Sequence, residues 1–172
     1  MKTTSVFVYG TLTSPQVVRI LLGRNGPAMI PARIDGHSRH PVINRVYPGM
    51  LKSPAADGKT CFVNGCILAD VTPKELELLD WFEADEYERQ IVQVHTLPVG
   101  DDDNKNNDVA GITNPVGAII SAETYIWKSH LADKLKSEED WSYENFVEKH
   151  LESYLVQTVQ PCRAEMEQLG MT

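Results

Sequence analysis

The sequence predicts an α+β fold, and three features of the chain lead to this class. Short apolar runs rich in β-branched and aromatic residues, typical of strands, recur from the N-terminus through the middle of the chain. Two segments with helix-capping residues and apolar positions at helical spacing lie beside these runs. A third amphipathic segment follows the last run. Strands therefore dominate the middle of the chain, helices flank them, and no internal repeat or linker is visible.

The N-terminal segment predicts a strand, a short loop and a helix. The run Val6–Tyr9 is short, β-branched and aromatic and stops at Gly10, as expected for a buried strand. Ser14 fits the N-cap of the following helix, Pro15 its first position, and Gly23 its C-terminal stop. The loop that begins at Gly10 thus lies at the junction of strand and helix.

The next segments predict two short, irregular strands and then one clear strand. Residues 32–47 are rich in basic and turn-forming residues and predict two short, irregular strands, followed by a turn at 47–50 and a polar loop at 53–59. The run Cys61–Val71 is the clearest strand of the chain, and Gly65 within it is a candidate bulge position.

The strongest helix signal follows that strand. Residues 72–75, Thr-Pro-Lys-Glu, have the form of a capping box with proline at the first helical position. Apolar residues then recur at helical spacing: Leu76, Leu79 and Phe82. A helix is therefore predicted after Thr72. The chain leaves it over 85–87, and residues 89–97 predict another strand.

A polar segment separates this strand from the next. Asp101–Asp108 is a run of eight polar residues within 98–117, and it has no apolar side chain to bury, so we expect a mobile surface loop. A calcium-binding loop is the alternative, but the spacing and the closing glutamate of an EF-hand are absent.

The C-terminal part predicts one more strand and a long helix. Residues 116–128 resume strand character, and Ser142 then begins a helix with an apolar stripe. The stripe consists of Phe146, Val147, Leu151, Tyr154 and Leu155. Pro161 is expected to break this helix and to leave a short polar helix or a frayed tail.

The composition of the 172-residue chain, with 42% hydrophobic and 23% charged residues, is ordinary for a soluble globular protein. Its net charge of −8 opposes binding to nucleic acid or anionic membranes, which need a basic surface. No apolar run approaches the ~18 residues of a membrane-spanning helix, and no signal-peptide pattern is present. We therefore expect neither nucleic acid nor membrane as a partner.

The cysteines and histidines give no metal-site signature. An odd number of cysteines without a C-x-x-C pair, Cys61, Cys66 and Cys162, argues against a disulfide framework or a zinc site. Reduced thiols and a cytoplasmic location are the simplest interpretation. His37 and His40 have metal-like spacing, but no third ligand accompanies them, so we expect surface histidines and no metal.

Glu83 is the candidate for acid–base chemistry. It lies where the capped helix ends, beside Trp81 and Phe82, and both the apolar neighbours and the helix C-terminus disfavour its ionised form. A carboxyl with a raised pKa is a better general base near neutral pH. The alternative is that Glu83 belongs to a solvated acidic cluster with Asp85, Glu86 and Glu88.

The loop Tyr9–Leu12 is the candidate for binding an anion. A loop between a strand and a helix exposes backbone N–H groups, and Gly10 allows close approach of a ligand. Such a nest holds a carboxylate without a cationic side chain. The alternative is a tight structural turn.

Two motifs in this order resemble the gamma-glutamyl cyclotransferase-like superfamily, and the resemblance is closest to its plant branch of avirulence-induced proteins. They read SVFVYGTL at residues 5–12 and LDWFEADEYER at residues 79–89. The resemblance covers roughly the first 130 residues. It implies a small mixed β-barrel with helices packed outside. We expect one such domain over residues 1–172, with a core of about 5–130 and a C-terminal helical extension of about 140–172.

The resemblance also implies roles for particular residues. Glu83 would be the catalytic base, and the amides of the Tyr9–Leu12 loop would hold the substrate's α-carboxylate and stabilise the developing oxyanion. The expected substrate-binding residues are Tyr9, Gly10, Thr11, Leu12, Tyr47 and Tyr125. Tyr47 begins a Tyr-Pro turn beside the cavity, whereas Tyr125 either lines the pocket or is a packed aromatic. Arg89 is expected to pair with nearby acids.

These roles imply a cyclotransferase that acts on a small-molecule γ-glutamyl amine and forms 5-oxoproline and a free amine. The route needs neither a metal nor an organic cofactor. The alternative is a stress-response binding module of plant defence that keeps the pocket without significant turnover. The C-terminal helix keeps this alternative open, because its apolar stripe would cover either the barrel or an unknown protein partner.

Overall fold

The computed structural model describes residues 2–23, 25–53, 61–98 and 117–172. Five strands form a closed barrel in the order β1-β5-β2-β6-β7, and β3 and β4 form a separate two-stranded sheet. The strands are β1 (Thr4–Val8), β2 (Met29–Asp35), β3 (His37–Pro41), β4 (Pro48–Lys52), β5 (Phe62–Val71), β6 (Tyr87–Thr96) and β7 (Ile119–Trp127). The β1–β7 pair that closes the barrel is parallel, and its other pairs are antiparallel. The predicted α+β class and mixed barrel are confirmed.

The two faces of the barrel bury two separate cores, because successive side chains of a strand point to opposite faces. One core consists of strand residues and neighbours that fill the barrel, including Phe7, Ile34 and Ile67. The other includes Val6, Val8 and Leu68 and packs against the helices outside. At the end of β1, the side chain of Phe7 points into the barrel core and that of Val8 into the core beneath the helices.

The first two helices begin as predicted. Helix α1 (Pro15–Leu22) has Ser14 as its N-cap, whose side chain accepts a hydrogen bond from the backbone N–H of Val17. Helix α2 (Pro73–Glu83) begins with the complete capping box, in which Thr72 and Glu75 satisfy each other's backbone N–H groups. The helix ends at Glu83, and the backbone N–H of the next residue, Ala84, bonds to the carbonyl of Asp80.

The turn predicted at 47–50 is wrong from Pro48 onward. Pro48 begins β4, which pairs with β3 from Pro41↔Pro48 to His37↔Lys52. A two-stranded sheet tolerates proline at its end, where a missing N–H breaks no ladder. Gly49 leaves room for a neighbouring side chain, because a Cβ at this position would lie 2.9 Å from the ring of Trp127.

The bulge in β5 lies elsewhere than predicted. Gly65 pairs with Ala32 in regular register, and a Cβ at this position would lie 2.1 Å from the carbonyl oxygen of Val8. The glycine therefore permits close approach of β1. The register shift lies where β5 passes Thr4, near Asp70, which has a φ of 55°.

The C-terminal helices begin at Ser142 as predicted, but Pro161 does not break them. They are α3 (Tyr143–Lys149), α4 (Leu151–Tyr154) and α5 (Gln160–Gln168), with a π turn at Leu155–Val159. The widened turn directly before Pro161 accommodates a residue that lacks an N–H and crowds the preceding turn of a regular helix. Val147 is 40% exposed and lies off the buried face, whereas Phe146 and Tyr154 are buried.

Several expectations have other outcomes. His37 is buried, and its Nδ1 lies 2.9 Å from the carbonyl oxygen of Asp35, so the surface position predicted for it is wrong. Satisfying a ring nitrogen makes such burial tolerable.

The predicted mobile loop Asp101–Asp108 lies outside the described residues, as does most of the loop at 53–59. The division into a core and a C-terminal extension stays a prediction. No helix among the described residues is long and apolar enough to cross a membrane.

Candidate active site

A cavity of about 220 Å³ opens where β1 ends. Residues 7–12 form one wall, and the end of α2 with the turn after it forms another. Further side chains come from the start of β4, from β7 and from the C-terminal helices. The volume of this cavity is smaller than the ~300–1,000 Å³ of sites that bind drug-sized ligands, so the cavity suits a small metabolite.

All of the site residues predicted from the sequence line this one cavity. They are Glu83, Tyr9, Gly10, Thr11, Leu12, Tyr47 and Tyr125. Residues separated by more than a hundred positions thus come together through the pairing of β1 with β7. Their catalytic and binding roles stay proposals.

Glu83 is the last residue of α2 and is half-buried, with its carboxyl on the cavity wall. Burial is the main cause that raises the pKa of this carboxyl to about 8, and the nearby Asp80 carboxylate adds to the effect. No side chain in the described ranges forms a hydrogen bond with Glu83. Ala84, directly after it, has a φ of 58°, a conformation that is strained for alanine. A desolvated acid beside a strained residue is typical of functional sites.

The loop beside Glu83 presents unused backbone donors. Residues 11–13 form a 3₁₀ turn in which the N–H groups of Thr13 and Ser14 bond back to the carbonyls of Gly10 and Thr11. Within the described part of the chain, the N–H groups of Gly10, Thr11 and Leu12 have no backbone acceptor. Three unpaired donors on a cavity wall form the kind of nest that binds a carboxylate or an oxyanion.

A family model for "Gamma-glutamyl cyclotransferase, AIG2-like" matches residues 6–143, which include the loop and Glu83. The chain belongs to this family. It is 34% identical over 153 residues to AIG2-like protein C of Arabidopsis thaliana, covering 89% of this chain and 74% of the relative. These matches confirm the resemblance to the plant branch of the superfamily.

Solved structures share the fold of this family member. The solution structure of an Arabidopsis thaliana protein superposes with a TM-score of 0.59 at 25% identity, over 96% of this chain and 94% of that one. A structure titled gamma-glutamyl cyclotransferase superposes with a TM-score of 0.52 at 16% identity, over 74% of this chain and 68% of that one. At that identity the second likeness shows the fold alone.

Asp80 links Glu83 to an ion-pair network on the barrel wall. Its Oδ1 accepts a hydrogen bond of 2.8 Å from the Tyr125 hydroxyl and lies 3.1 Å from Nε of Arg89. Arg89 also pairs with Glu123, so the expectation that it pairs with nearby acids is confirmed. The network fixes the side chain of Tyr125 and holds a negative charge near Glu83.

We predict that Asp80→Asn lowers the pKa of Glu83 by roughly one unit, because a like charge near a carboxyl disfavours its ionisation. An NMR titration of the Glu83 side-chain carboxyl measures this directly and needs no activity. Asp85→Asn is the control, since it removes the same charge from an exposed position outside the cavity wall. An unchanged or raised pKa in Asp80→Asn would contradict the assigned cause.

The buried tyrosines of the cavity have their protons committed to the protein. Tyr9 donates to the carbonyl of Tyr125 at 2.5 Å, and Tyr87 donates to the carbonyl of Pro48 at 2.7 Å. Burial is the main cause that raises the pKa of both phenols, so both stay neutral. These two phenols therefore offer a ligand their acceptor lone pairs and ring faces rather than free donors.

Several cavity residues escaped the sequence analysis. The C-terminal helices contribute Tyr154, Thr158 and Cys162, which lie beyond the family match. The buried stripe containing Tyr154 was the available signal, but it could not show what the helix covers. Glu86, grouped with the solvated acids, is half-buried on the cavity wall and accepts a hydrogen bond of 3.0 Å from the Tyr47 hydroxyl.

No group that could hold a metal ion occurs among the residues the structure describes. At least three histidine, cysteine, aspartate or glutamate side chains would have to come together, and none of the described ones do. His40, one of the two histidines with metal-like spacing, instead has its ring nitrogens 2.8 Å from the carbonyl oxygen of Glu139 and 2.9 Å from the Ser38 hydroxyl.

Proposed function

We propose that the protein is a γ-glutamyl cyclotransferase acting on a γ-glutamyl amine. The observation that carries this proposal is one small cavity that combines a desolvated carboxyl, Glu83, with the unpaired amides of residues 10–12. Family membership supports the same activity. The substrate's α-amine attacks its own δ-carbonyl carbon, a C–N bond forms, and the bond to the leaving amine breaks. The products are 5-oxoproline and the free amine.

The loop supplies binding and electrostatic stabilisation in this proposal. The amides of residues 10–12 hold the α-carboxylate and help to stabilise the oxyanion that develops on the δ-oxygen. Holding the substrate bent brings its amine and carbonyl into reach of each other. Proximity of this kind contributes up to ~7–11 kcal/mol in well-oriented intramolecular reactions.

Glu83 moves the proton. The substrate's amine attacks in its neutral form, and a carboxyl whose pKa is raised to about 8 is a better general base toward it near neutral pH than an ordinary glutamate. As the C–N bond forms, the Glu83 carboxylate takes one proton from the attacking nitrogen, and it returns that proton to the departing nitrogen as the bond to the leaving amine breaks. The step consumes no further reactant, and we propose no cofactor for it. On the thiol content of the chain, we place the activity in the cytoplasm.

A screen of γ-glutamyl compounds for release of 5-oxoproline tests the proposal. The panel should include γ-glutamyl amino acids, γ-glutamyl isopeptides and simple γ-glutamyl alkylamides. We expect time-dependent 5-oxoproline and stoichiometric free amine from at least one class. Binding of these compounds without any product would instead favour the non-catalytic binding module.

A further inference from the structure

Arg39 lies behind the loop that carries the unpaired amides. It belongs to β3, in the basic segment 32–47, and is not part of the cavity wall. Its Nη1 donates a hydrogen bond of 2.9 Å to the carbonyl of Tyr9 and lies 3.4 Å from the carbonyl oxygen of Asn64. A charged donor thus holds the residue directly before Gly10, where β1 passes into the loop.

The peptide group that Arg39 holds also contains the first donor of the nest. The carbonyl of Tyr9 and the N–H of Gly10 belong to one trans peptide group, so they point in opposite directions. Arg39 therefore lies on the side of this peptide opposite to the free N–H of Gly10. A hydrogen bond from a cation to the carbonyl polarises the peptide and makes its N–H a stronger donor.

The charge of Arg39 is only partly balanced by its neighbours. Its side chain is 15% exposed, and Nε forms no hydrogen bond with any described residue. The guanidinium lies over the ring of Trp141, 5.3 Å from the ring centroid. Two acids face it: Asp140, whose Oδ1 lies 3.5 Å from Nε, and Glu144. Both acids are exposed, so water screens their charges more than that of the guanidinium.

Other cations near the cavity are balanced by acids. Within the described residues, no lysine, arginine or histidine lines the cavity itself. Arg45 bonds the Tyr47 hydroxyl, which also donates to Glu86. A neighbouring pocket holds two charged residues of each sign: Arg45, Lys134, Asp133 and Glu86. Arg39 differs from these cations because it is bonded to the backbone of the loop.

We propose that Arg39 is a positioning residue that prepares the loop to bind an anion. It fixes the Tyr9–Gly10 peptide, strengthens the N–H of Gly10 as a donor, and places a positive charge behind the nest. This inference rests on the proposed function, in which the loop holds the α-carboxylate and the developing oxyanion. The charge that such an anion needs thus comes from behind the peptide and leaves the cavity free for the substrate.

Binding of two matched ligands tests whether Arg39 acts through its charge. The probes are 5-oxoproline and its carboxamide, which share the ring but differ in the charge of the group that the loop would hold. By calorimetry we expect the wild type to prefer the carboxylate, and Arg39→Met to weaken 5-oxoproline binding about tenfold. The same variant should change the affinity for the carboxamide by less than about threefold, whereas loss of a purely structural brace would weaken both probes alike.

Arg39→Lys and Arg33→Met are the matched controls. Arg39→Lys keeps the positive charge and should keep the preference for the carboxylate within about threefold of wild type. Arg33 likewise pairs with an acid, Asp35, and lies over an aromatic ring, Phe62, but it is not part of the cavity wall. Arg33→Met should therefore leave the preference for the carboxylate unchanged.

Asp140→Asn decides the matter even if Arg39→Met does not fold, because Asp140 is exposed. Removing this acid leaves Arg39 less balanced, so the preference for the carboxylate should rise about twofold. A wild type without this preference, equal weakening of both probes in Arg39→Met, or a preference that persists there overturns the inference while the proposed function stands. A preference that does not rise in Asp140→Asn has the same consequence. Failure of the wild type to bind either probe overturns both.

Discussion

Replacing Glu83 with glutamine is expected to lower kcat by roughly 10²–10⁴-fold, the usual cost of losing one general acid–base group. Glutamine keeps the size and polarity of the side chain but cannot take a proton from the attacking amine. Steady-state release of 5-oxoproline from the best γ-glutamyl substrate measures the effect. Glu77→Gln is the matched control, because Glu77 is exposed on the same helix and lies outside the cavity wall. Wild-type turnover in a folded Glu83→Gln protein would contradict the role of Glu83.

The same substitution is expected to stabilise the fold at alkaline pH. The folded-state pKa of Glu83, about 8, lies above the ~4.3 of an unfolded glutamate, so folding favours its protonated form. The stability that the wild type gains from protonated Glu83 is therefore fully present below pH ~4.3 and is lost as the pH rises through about 8. Glu83→Gln lacks this loss, so thermal unfolding should show its advantage over wild type growing across that range. A constant difference would show that Glu83 is not desolvated.

Replacing Gly10 with valine is expected to weaken binding of 5-oxoproline by tenfold or more. A Cβ at Gly10 would lie 2.9 Å from Cδ and Cγ of Pro48, closer than real contacts allow. The loop must therefore shift, and crowding of this kind typically costs ~1–3 kcal/mol. Since the proposed donors are the backbone amides of residues 10–12, moving the loop displaces all of them together. Calorimetric titration with 5-oxoproline measures the loss.

A second substitution shows whether the contact with Pro48 causes this loss. Pro48→Ala removes the two ring atoms that the new Cβ would meet. The double variant should recover part of the affinity that Gly10→Val loses, so the two substitutions should be non-additive. Full additivity, or wild-type affinity in Gly10→Val alone, would count against the loop as the carboxylate site.

The parts of the fold that the sequence predicted well are those fixed by local interactions. The capping box at Thr72 and the N-cap at Ser14 satisfy backbone groups within the same turn, so short patterns reveal them. Glu83 and the loop at Gly10 follow directly from these elements. Their positions relative to a helix cap or a strand end can be predicted from the sequence, and the motifs at residues 5–12 and 79–89 link them to one family.

The features that escaped prediction depend on contacts between distant segments. Gly49 and Gly65 look like turn and bulge residues, but each makes room for another part of the chain, the Trp127 ring and the Val8 carbonyl. Pro161 follows a π turn, which apolar periodicity does not reveal. Glu86 looks like one more surface acid until Tyr47, a distant residue, is placed beside it. Tertiary packing decides such positions, and local propensity does not.

The most direct test of the site is an NMR titration of the isotope-labelled wild-type protein with 5-oxoproline. It follows the backbone amides together with the side-chain carboxyl of Glu83. We predict saturable shifts that are largest at the amides of Gly10, Thr11 and Leu12, with a matching change at the Glu83 carboxyl. Shifts that cluster elsewhere and spare both the loop and Glu83 would contradict the assignment of this cavity as the γ-glutamyl site.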